Sequence, residues 1–215
     1  MAHHALLSSS SITGRSATVL HEVLRPGIGI AVWQRELAPA VRDAMAALYA
    51  LMPLHRLFTL DADDDAASAL DHALVGFGQL PESSSRAWRD DLLGLIAHAR
   101  GLAPQTAVRV RIETKVNDGC RLFHADNVPL RLICTYRGPG TQWLPEDAFD
   151  RDGLRRGSND LVLDWSAVRE LAAGDVAVMK GLRFPGAGVT DTLVHRSPSA
   201  GAAQPRVVAV IDILL

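Results

Sequence analysis

The stretch at residues 120–136, CRLFHADNVPLRLICTY, decides how we interpret this chain. It has the pattern of a strand, a tight turn at Asn127–Pro129 and a second strand. Because side chains alternate along a strand, His124 and Asp126 would project from the same face, about 7 Å apart. An imidazole and a carboxylate on one rigid strand supply two of the three ligands of a facial metal site. The third ligand is expected to be a distant histidine, and His195 is the best candidate.

The residues on either side of this stretch have the short, turn-separated strands of an all-β unit. Apolar and charged residues alternate from 107 to 116, and Asn117–Gly119 is a strong hairpin-turn signal. Further strands are predicted at 176–179, 192–195 and 206–215. The chain has no β-α-β alternation and no glycine-rich phosphate loop, which disfavours a dinucleotide site. The pattern therefore predicts a sandwich or jelly roll over residues 106–215.

The first half of the chain has a different character. Residues 1–18 are predicted to be a disordered tail, and residues 19–105 to be mainly helical. Helices are predicted where apolar residues recur at helical spacing, at 34–52, 66–77 and 83–100, with short strands at 29–33 and 58–60. We therefore expect an α+β fold in which the N-terminal helices pack against the β half as one integrated domain.

Composition narrows the class of protein. With 48% hydrophobic and 21% charged residues, the chain has the balance of an ordinary globular protein. A net charge of −2 gives no reason to expect nucleic acid or an anionic membrane as a partner. No apolar run approaches the roughly 18 residues of a membrane span, and two cysteines do not make a disulfide framework. We expect a cytoplasmic bacterial enzyme acting on an unknown small molecule or protein.

The His-x-Asp tripeptide alone is a weak signal, and by itself it is more typical of a hydrogen-bonded histidine in a sheet. Three features favour a site. The motif comes just before a turn, His195 ends a late strand, and Arg206 begins the last strand eleven residues further on. A buried arginine at that position needs an anion, and the planar guanidinium suits a carboxylate.

The order of these residues resembles that of the iron(II)/2-oxoglutarate-dependent oxygenases, which have a double-stranded β-helix fold. The prolyl-hydroxylase-like branch is the most similar in layout, over residues 106–215. The resemblance implies that His124, Asp126 and His195 bind Fe(II). It also implies that Arg206 binds the distal carboxylate of the cosubstrate 2-oxoglutarate.

Two more residues of the following strand match positions near the cosubstrate in that superfamily. Tyr136 matches a tyrosine that contacts the same carboxylate, and Arg131 matches an arginine that follows the His-x-Asp motif. The two have opposite strand parity, so without a bulge only one can face inward.

Four segments are similar to an uncharacterised bacterial family, domain of unknown function 1826. They are Arg25–Pro26, Val32–Arg35, His124–Asp126 and Thr135–Thr141. That resemblance implies no activity. Members are often encoded near zinc-homeostasis genes, which implies a metal-related role and leaves zinc open in place of iron.

Several other residues have an ordinary interpretation beside a functional one. Cys120 shares strand parity with the motif and could join a zinc site, but a buried core thiol is favoured. The charged residues at 109–115 are typical of a solvated sheet face, although one of them could face the cavity of a β-helix. Arg155 and Arg156 could bind an anionic substrate, but an exposed loop is favoured.

We therefore carry three hypotheses. The first is a 2-oxoglutarate-dependent oxygenase of hydroxylase type, with His124, Asp126 and His195 as its catalytic metal triad. The second is a non-catalytic metal-binding jelly roll linked to zinc homeostasis. The third is a fold with structural histidines that binds a protein partner.

Overall fold

The structure is a computed structural model that describes residues 10–48, 53–76, 80–115, 120–198 and 205–215. The strands within those ranges are β1 Ser10–Gly14, β2 Ile28–Trp33, β3 His55–Leu60, β4 Ala107–Lys115, β5 Leu130–Arg137, β6 Gln142–Leu144, β7 Arg169–Glu170, β8 Val176–Lys180, β9 Val194–Arg196 and β10 Arg206–Leu214. The α-helices are α1 Pro39–Leu48, α2 Ala66–Ala73 and α3 Glu82–Leu102. Short 3₁₀ helices are Ala17–Leu24, Glu146–Ala148, Arg151–Arg156, Asn159–Leu161, Trp165–Ala167 and Val189–Asp191.

The strands form two sheets of unequal size. The large sheet has seven strands in the order β1-β2-β8-β5-β10-β4-β3, and the small sheet has three in the order β7-β6-β9. Pairing in the large sheet is antiparallel except between β1 and β2. The long, Val- and Ile-rich strand β10 lies between β5 and β4 and is buried along almost its whole length. Burial on both faces explains why apolar residues run almost continuously along this strand.

The two faces of the large sheet contact different layers. One face packs on the helices, and the apolar cluster there joins Leu132 and Ile211 of the sheet to Trp88 of α3 and Met45 of α1. The opposite face belongs to a smaller cluster that includes Ile133 and Val210 from the large sheet and Trp143 from the small sheet. Residues of β5 and β10 thus alternate between the helical layer and the space between the sheets. That space holds the candidate site.

The mixed α+β class is confirmed, and the amphipathic segments form helices in the predicted order. Residues 10–14, predicted to lie in a disordered tail, instead pair with β2, and Ile12 packs against the core. Residues 1–9 of that predicted tail lie outside the described residues. The helical half therefore also contributes β1, β2 and β3 to the large sheet. No helix in the described parts of the chain is long and apolar enough to cross a membrane.

Residues 120–126 do not form the predicted strand. Their one ladder contact is an isolated antiparallel bridge between His124 and His195. Instead, other loops hold the backbone here, since Phe123 N–H donates to the side chain of Asn159 and Leu182 N–H donates to the carbonyl of Asp126. The predicted hairpin turn at 117–119 lies outside the described residues.

Candidate functional site

Three side chains that are distant in sequence meet between the two sheets. One potential ligand atom from each of His124, Asp126 and His195 lies within 4.8 Å of the others. The bridge between the two histidines positions them side by side, with backbone hydrogen bonds of 2.9 Å in both directions. Because this pairing joins a loop to the strand β9, the cluster is part of the small sheet's framework. The sequence spacing predicted this meeting, although it predicted two regular strands.

The geometry of the cluster suits a single cation. Nε2 of His195 lies 3.2 Å from Oδ2 of Asp126, and Nε2 of His124 lies 3.6 Å from Oδ1. Two ligands at right angles, each about 2.1 Å from one ion, would be about 3 Å apart. Nδ1 of His124 lies 2.9 Å from the carbonyl of Leu122, which can only accept, so Nδ1 carries the proton. Nε2 is then the nitrogen with a free lone pair for a metal.

Charged neighbours keep Asp126 ionised. Nη1 of Arg131 lies 2.7 Å from Oδ2 of Asp126, and Nε of the same arginine donates to Asp212 over 2.7 Å. Although burial of Asp126 opposes ionisation, the two imidazoles and the Arg131 charge hold its pKa well below the usual range. The hydrogen bond to Asp126 raises the pKa of His124 against the effect of burial. Arg131 therefore faces inward, where it contacts Asp126 and also lines the cavity between the sheets.

Arg206 is a buried cation for which no described residue supplies an anion. Its residue is 1% exposed, and Nη2 donates to the hydroxyls of Thr135 at 3.2 Å and Thr141 at 3.4 Å. Among the residues that the structure describes, no carboxylate forms an ion pair with it, and its buried Nε has no hydrogen-bond partner. Burial lowers the pKa of Arg206 to about 10. A buried guanidinium with a free N–H is the group expected to receive a carboxylate.

One cavity connects the two groups. Its lining joins His124 and His195 to Arg206, along with residues of β4, β5 and β10. The full set comprises Arg111, Glu113, Lys115, Cys120, His124, Arg131, Ile133, Thr141, His195, Ser197, Arg206, Val208 and Val210. A ligand bound here can contact the histidine cluster at one end and the guanidinium at the other. Two imidazoles and one carboxylate fit an iron(II) ion with open positions, and Arg206 fits a distal carboxylate.

Tyr136 does not reach this cavity. The pairing of β5 with β10 shifts register at this point, so that Val208 pairs with Thr135 and Val207 with Arg137. The irregularity is a β-bulge, and Tyr136 lies on the helical face, where its hydroxyl donates to Asp91 over 2.6 Å. Its ring meets Trp88 edge-on. The expectation that Tyr136 contacts the cosubstrate is therefore wrong for this structure, and burial raises the pKa of its hydroxyl.

Other residues also differ from their interpretation in the sequence. Cys120 is exposed and lines the cavity, so it is not a core thiol, whereas Cys134 is buried as expected. Three of the charged residues of β4 line the cavity and do not form a solvated face. Asp212 binds both Arg131 and Arg109, a role that no motif in the sequence indicates. Strand parity gives a hint of this position, since Asp212 and Arg206 project from the same face of the last strand.

A second cavity lies on the outer side of His124. Its lining comprises His124, Ala125, Arg151, Asp152, Leu154, Arg155 and Leu182. His124 thus lines both the inner cavity and this outer groove. Arg155 and Arg156 are the pair that could bind an anionic substrate. Arg156 forms an ion pair with Asp150 and does not line the groove. The outer groove gives a second approach to the histidine cluster.

Several solved oxygenase structures resemble the chain at low sequence identity. Dioxygenase for auxin oxidation 1 from Arabidopsis thaliana, in complex with 2-oxoglutarate, is 11% identical, with a TM-score of 0.50 over 96% of this chain and 93% of that one. The rice dioxygenase for auxin oxidation is 15% identical, with a TM-score of 0.49 over 96% and 83%. A Pseudomonas putida prolyl-4-hydroxylase is 13% identical, with a TM-score of 0.42 over 92% and 97%. The Arabidopsis likeness is one of fold alone.

Sequence comparison gives the family directly. No curated protein matches the chain. The family described as "Protein of unknown function (DUF1826)" matches residues 14–212, which is nearly the whole chain. This match confirms the family resemblance of the four short segments in the sequence, and the chain belongs to the DUF1826 family.

Proposed function

We propose that this protein is an iron(II)/2-oxoglutarate-dependent oxygenase of hydroxylase type, with a double-stranded β-helix core formed by the two sheets. The observation that carries the proposal is Arg206, which is buried, has no carboxylate partner among the described residues, and lines the cavity that His124 and His195 also line. A metal centre and an unpaired guanidinium at two ends of one cavity suit a 2-oxo acid with a second carboxylate. The fold likeness to a 2-oxoglutarate-bound dioxygenase supports the proposal.

The same observation argues against a metal-storage site. Burying a cation without an anion costs free energy, and a structural zinc site gains nothing from such a cation. The residues that would only store a metal are the three ligands, and they are complete without Arg206. The buried arginine at this position is therefore better explained by a ligand that carries a carboxylate.

Each residue of the site has a distinct role in this proposal. His124, Asp126 and His195 would hold the iron, which when bound together with 2-oxoglutarate supplies the activation of dioxygen for substrate oxidation. Arg131 keeps the Asp126 carboxylate ionised and fixed in position. Arg206, with the Thr135 and Thr141 hydroxyls beside it, would bind the distal carboxylate.

The outer groove is the proposed substrate site. Because His124 lines both cavities, a molecule in the groove would contact the same histidine as a ligand in the inner cavity. The groove combines apolar side chains at Leu154 and Leu182 with the charged groups of Arg155 and Asp152.

The test of this proposal is succinate release. Protein purified without oxygen is supplied with Fe(II), 2-oxoglutarate, dioxygen and ascorbate, and succinate is measured over time. We expect slow release even without the substrate, and none from His195→Ala or from protein without iron. If the wild-type protein binds zinc tightly, binds no 2-oxoglutarate and releases no succinate, the proposal is wrong and the zinc-handling alternative is favoured.

A further inference from the structure

Lys115 lies directly opposite Arg206. The two residues are paired in the register of β4 and β10, at the end of the ladder next to the cavity. Side chains of directly opposed residues in an antiparallel pair project from the same face, with their Cβ atoms about 5 Å apart. Both side chains line the inner cavity. Two cations are thus side by side where the end of the β4–β10 ladder meets the cavity.

This end of the cavity has more positive than negative charge. Lys115 Nζ and Arg111 Nε each lie 3.1 Å from the same oxygen of Glu113, so one carboxylate serves two cations. Glu113 and Glu170 act on Arg206 only at a distance. By contrast, the other inward-facing arginine, Arg131, has two carboxylate partners. Of the described residues lining this end, three are cations and one is an anion.

Opposed like charges destabilise a sheet unless an anion lies between them. Lys115 can reach such an anion because its ammonium is carried on a flexible four-carbon stem. Glu113 would keep Arg111 as its partner when the ammonium moves. The side chain of Lys115 is 25% exposed, which leaves it room to move. The expected anion is the group that Arg206 receives.

We propose that Lys115 is a second binding residue for the distal carboxylate of the 2-oxo acid, and that it forms with Arg206 a two-cation seat. This inference rests on the proposed function. The seat would select a 2-oxo acid with a distal carboxylate over one of the same length without it. Its contribution is expected to be about tenfold or more in affinity, as for other charge-assisted hydrogen bonds.

Calorimetry with Mn(II)-loaded protein tests the inference, because Mn(II) supports binding without turnover. The ligands are 2-oxoglutarate and 2-oxopentanoate, which has the same five carbons but lacks the distal carboxylate. We expect Lys115→Met to weaken 2-oxoglutarate about tenfold or more and to change 2-oxopentanoate and Mn(II) less than twofold. Lys115→Arg, which keeps the charge, should recover most of the affinity for 2-oxoglutarate.

The outcomes separate this inference from the function it rests on. If wild-type protein binds 2-oxoglutarate and Lys115→Met binds it equally well, the role of Lys115 is wrong and the proposed function stands. Equal weakening of both acids would also overturn it, since the lysine would then shape the cavity without contacting the carboxylate. If the Mn(II)-loaded wild-type protein binds neither acid, the inference and the proposed function both fail.

Discussion

Arg35, which is partly buried, and Arg206, which is fully buried, are two arginines in opposite circumstances. Arg35 makes a two-point ion pair with Asp91, donates to the carbonyl of Gly174 and stacks on Trp33 at 5.0 Å. Among the described residues, Arg206 has two neutral hydroxyl partners and no ionic one. Since removing one member of a satisfied buried pair leaves an uncompensated charge, Arg35 should stabilise the fold. The charge of Arg206, which lacks an ionic partner, should lower the free energy of unfolding, and a bound anionic ligand should offset that loss.

Arg206→Met should therefore abolish detectable 2-oxoglutarate binding without lowering stability. Burial lowers the pKa of Arg206 to about 10, which means that the folded state penalises the charged form at all lower pH values. Removing the charge relieves that penalty, and we expect the free energy of unfolding at pH 7 to stay equal or to rise by up to about 2 kcal/mol. Urea unfolding of ligand-free protein measures this.

The matched variant is Arg35→Met. It should lower the free energy of unfolding by about 3 kcal/mol, because Asp91 loses its guanidinium partner. A comparable loss of stability in Arg206→Met would mean that Arg206 is a structural residue.

The position of the Tyr136 hydroxyl leads to a second prediction at the scale of single residues. Because the hydroxyl lies on the helical face and donates to Asp91, Tyr136→Phe should leave 2-oxoglutarate affinity within twofold of wild type. It should reduce the free energy of unfolding by about 1–2 kcal/mol, as for the loss of a buried hydrogen bond to a charged group. Calorimetry and urea unfolding give the two values. A tenfold weaker affinity would place the hydroxyl in the cavity and contradict the structure.

At the scale of single residues, the sequence predicted well which side chains of a strand project from the same face. Strand parity showed that Arg131 and Tyr136 could not both face inward, and the structure places Arg131 inward and Tyr136 outward. Parity could not show what each residue binds. The pairing of Arg131 with Asp212 depends on which strands are neighbours, and a local pattern carries no information on that.

At the scale of elements, close packing of two loops holds Asp126, one of the proposed metal ligands. Gly181 N–H donates to the carbonyl of Pro129, and the next N–H donates to Asp126. A Cβ atom on Gly181 would lie 2.1 Å from the Val128 carbonyl oxygen and 2.7 Å from that of Asp126. Glycine is required here because the end of β8 and the turn after the His-x-Asp motif approach within backbone contact.

Gly181→Ala should therefore displace the turn that carries Asp126. We expect Mn(II) affinity to fall at least tenfold and the free energy of unfolding to drop by about 1–3 kcal/mol, as for overpacking. A titration with Mn(II) followed by electron paramagnetic resonance measures the affinity. Gly94→Ala in α3 is the control, since its Cβ would meet nothing within 4 Å and alanine favours a helix by about 0.5–1 kcal/mol. Wild-type Mn(II) affinity in Gly181→Ala would contradict this account of the loop.

The sequence predicted regular elements better than irregular ones. Helical periodicity located α1, α2 and α3, and alternation located β4, because burial on one face imposes those patterns. The motif stretch at 120–126 has the alternation of a strand but only one bridge to a neighbour. Its backbone is held by side chains and loops from residues 159 and 182, which no local pattern contains.

At the scale of the whole molecule, one apolar cluster joins the two halves of the chain. It contains residues of α1 and α3 together with residues of β5, β8 and β10. The first half also supplies both edge strands of the large sheet, β1 and β3. We therefore expect the helical half and the β half to unfold in a single transition. The composition of the halves predicted a boundary near residue 105, but it could not show that the first half completes the sheet.

Metal binding should stabilise this whole unit. At a free Mn(II) concentration of about 100 times Kd, linkage adds about 2.7 kcal/mol to the free energy of unfolding. For a chain of this size the increase corresponds to a rise in Tm of about 5–10 °C. Differential scanning calorimetry of wild-type protein with Mn(II) and with EDTA should show one transition that shifts, and His124→Ala should show no shift. Two separate transitions, or an equal shift in the variant, would contradict this expectation.

The proposed function depends on one cavity that would hold both a metal ion and a carboxylate. The most direct test is a calorimetric titration of 2-oxoglutarate into the protein with and without Mn(II). We expect one molecule to bind per chain in the presence of Mn(II), with binding lost after EDTA treatment and in Arg206→Met. Absence of binding to the Mn(II)-loaded protein, or binding that neither EDTA nor the substitution changes, would contradict it.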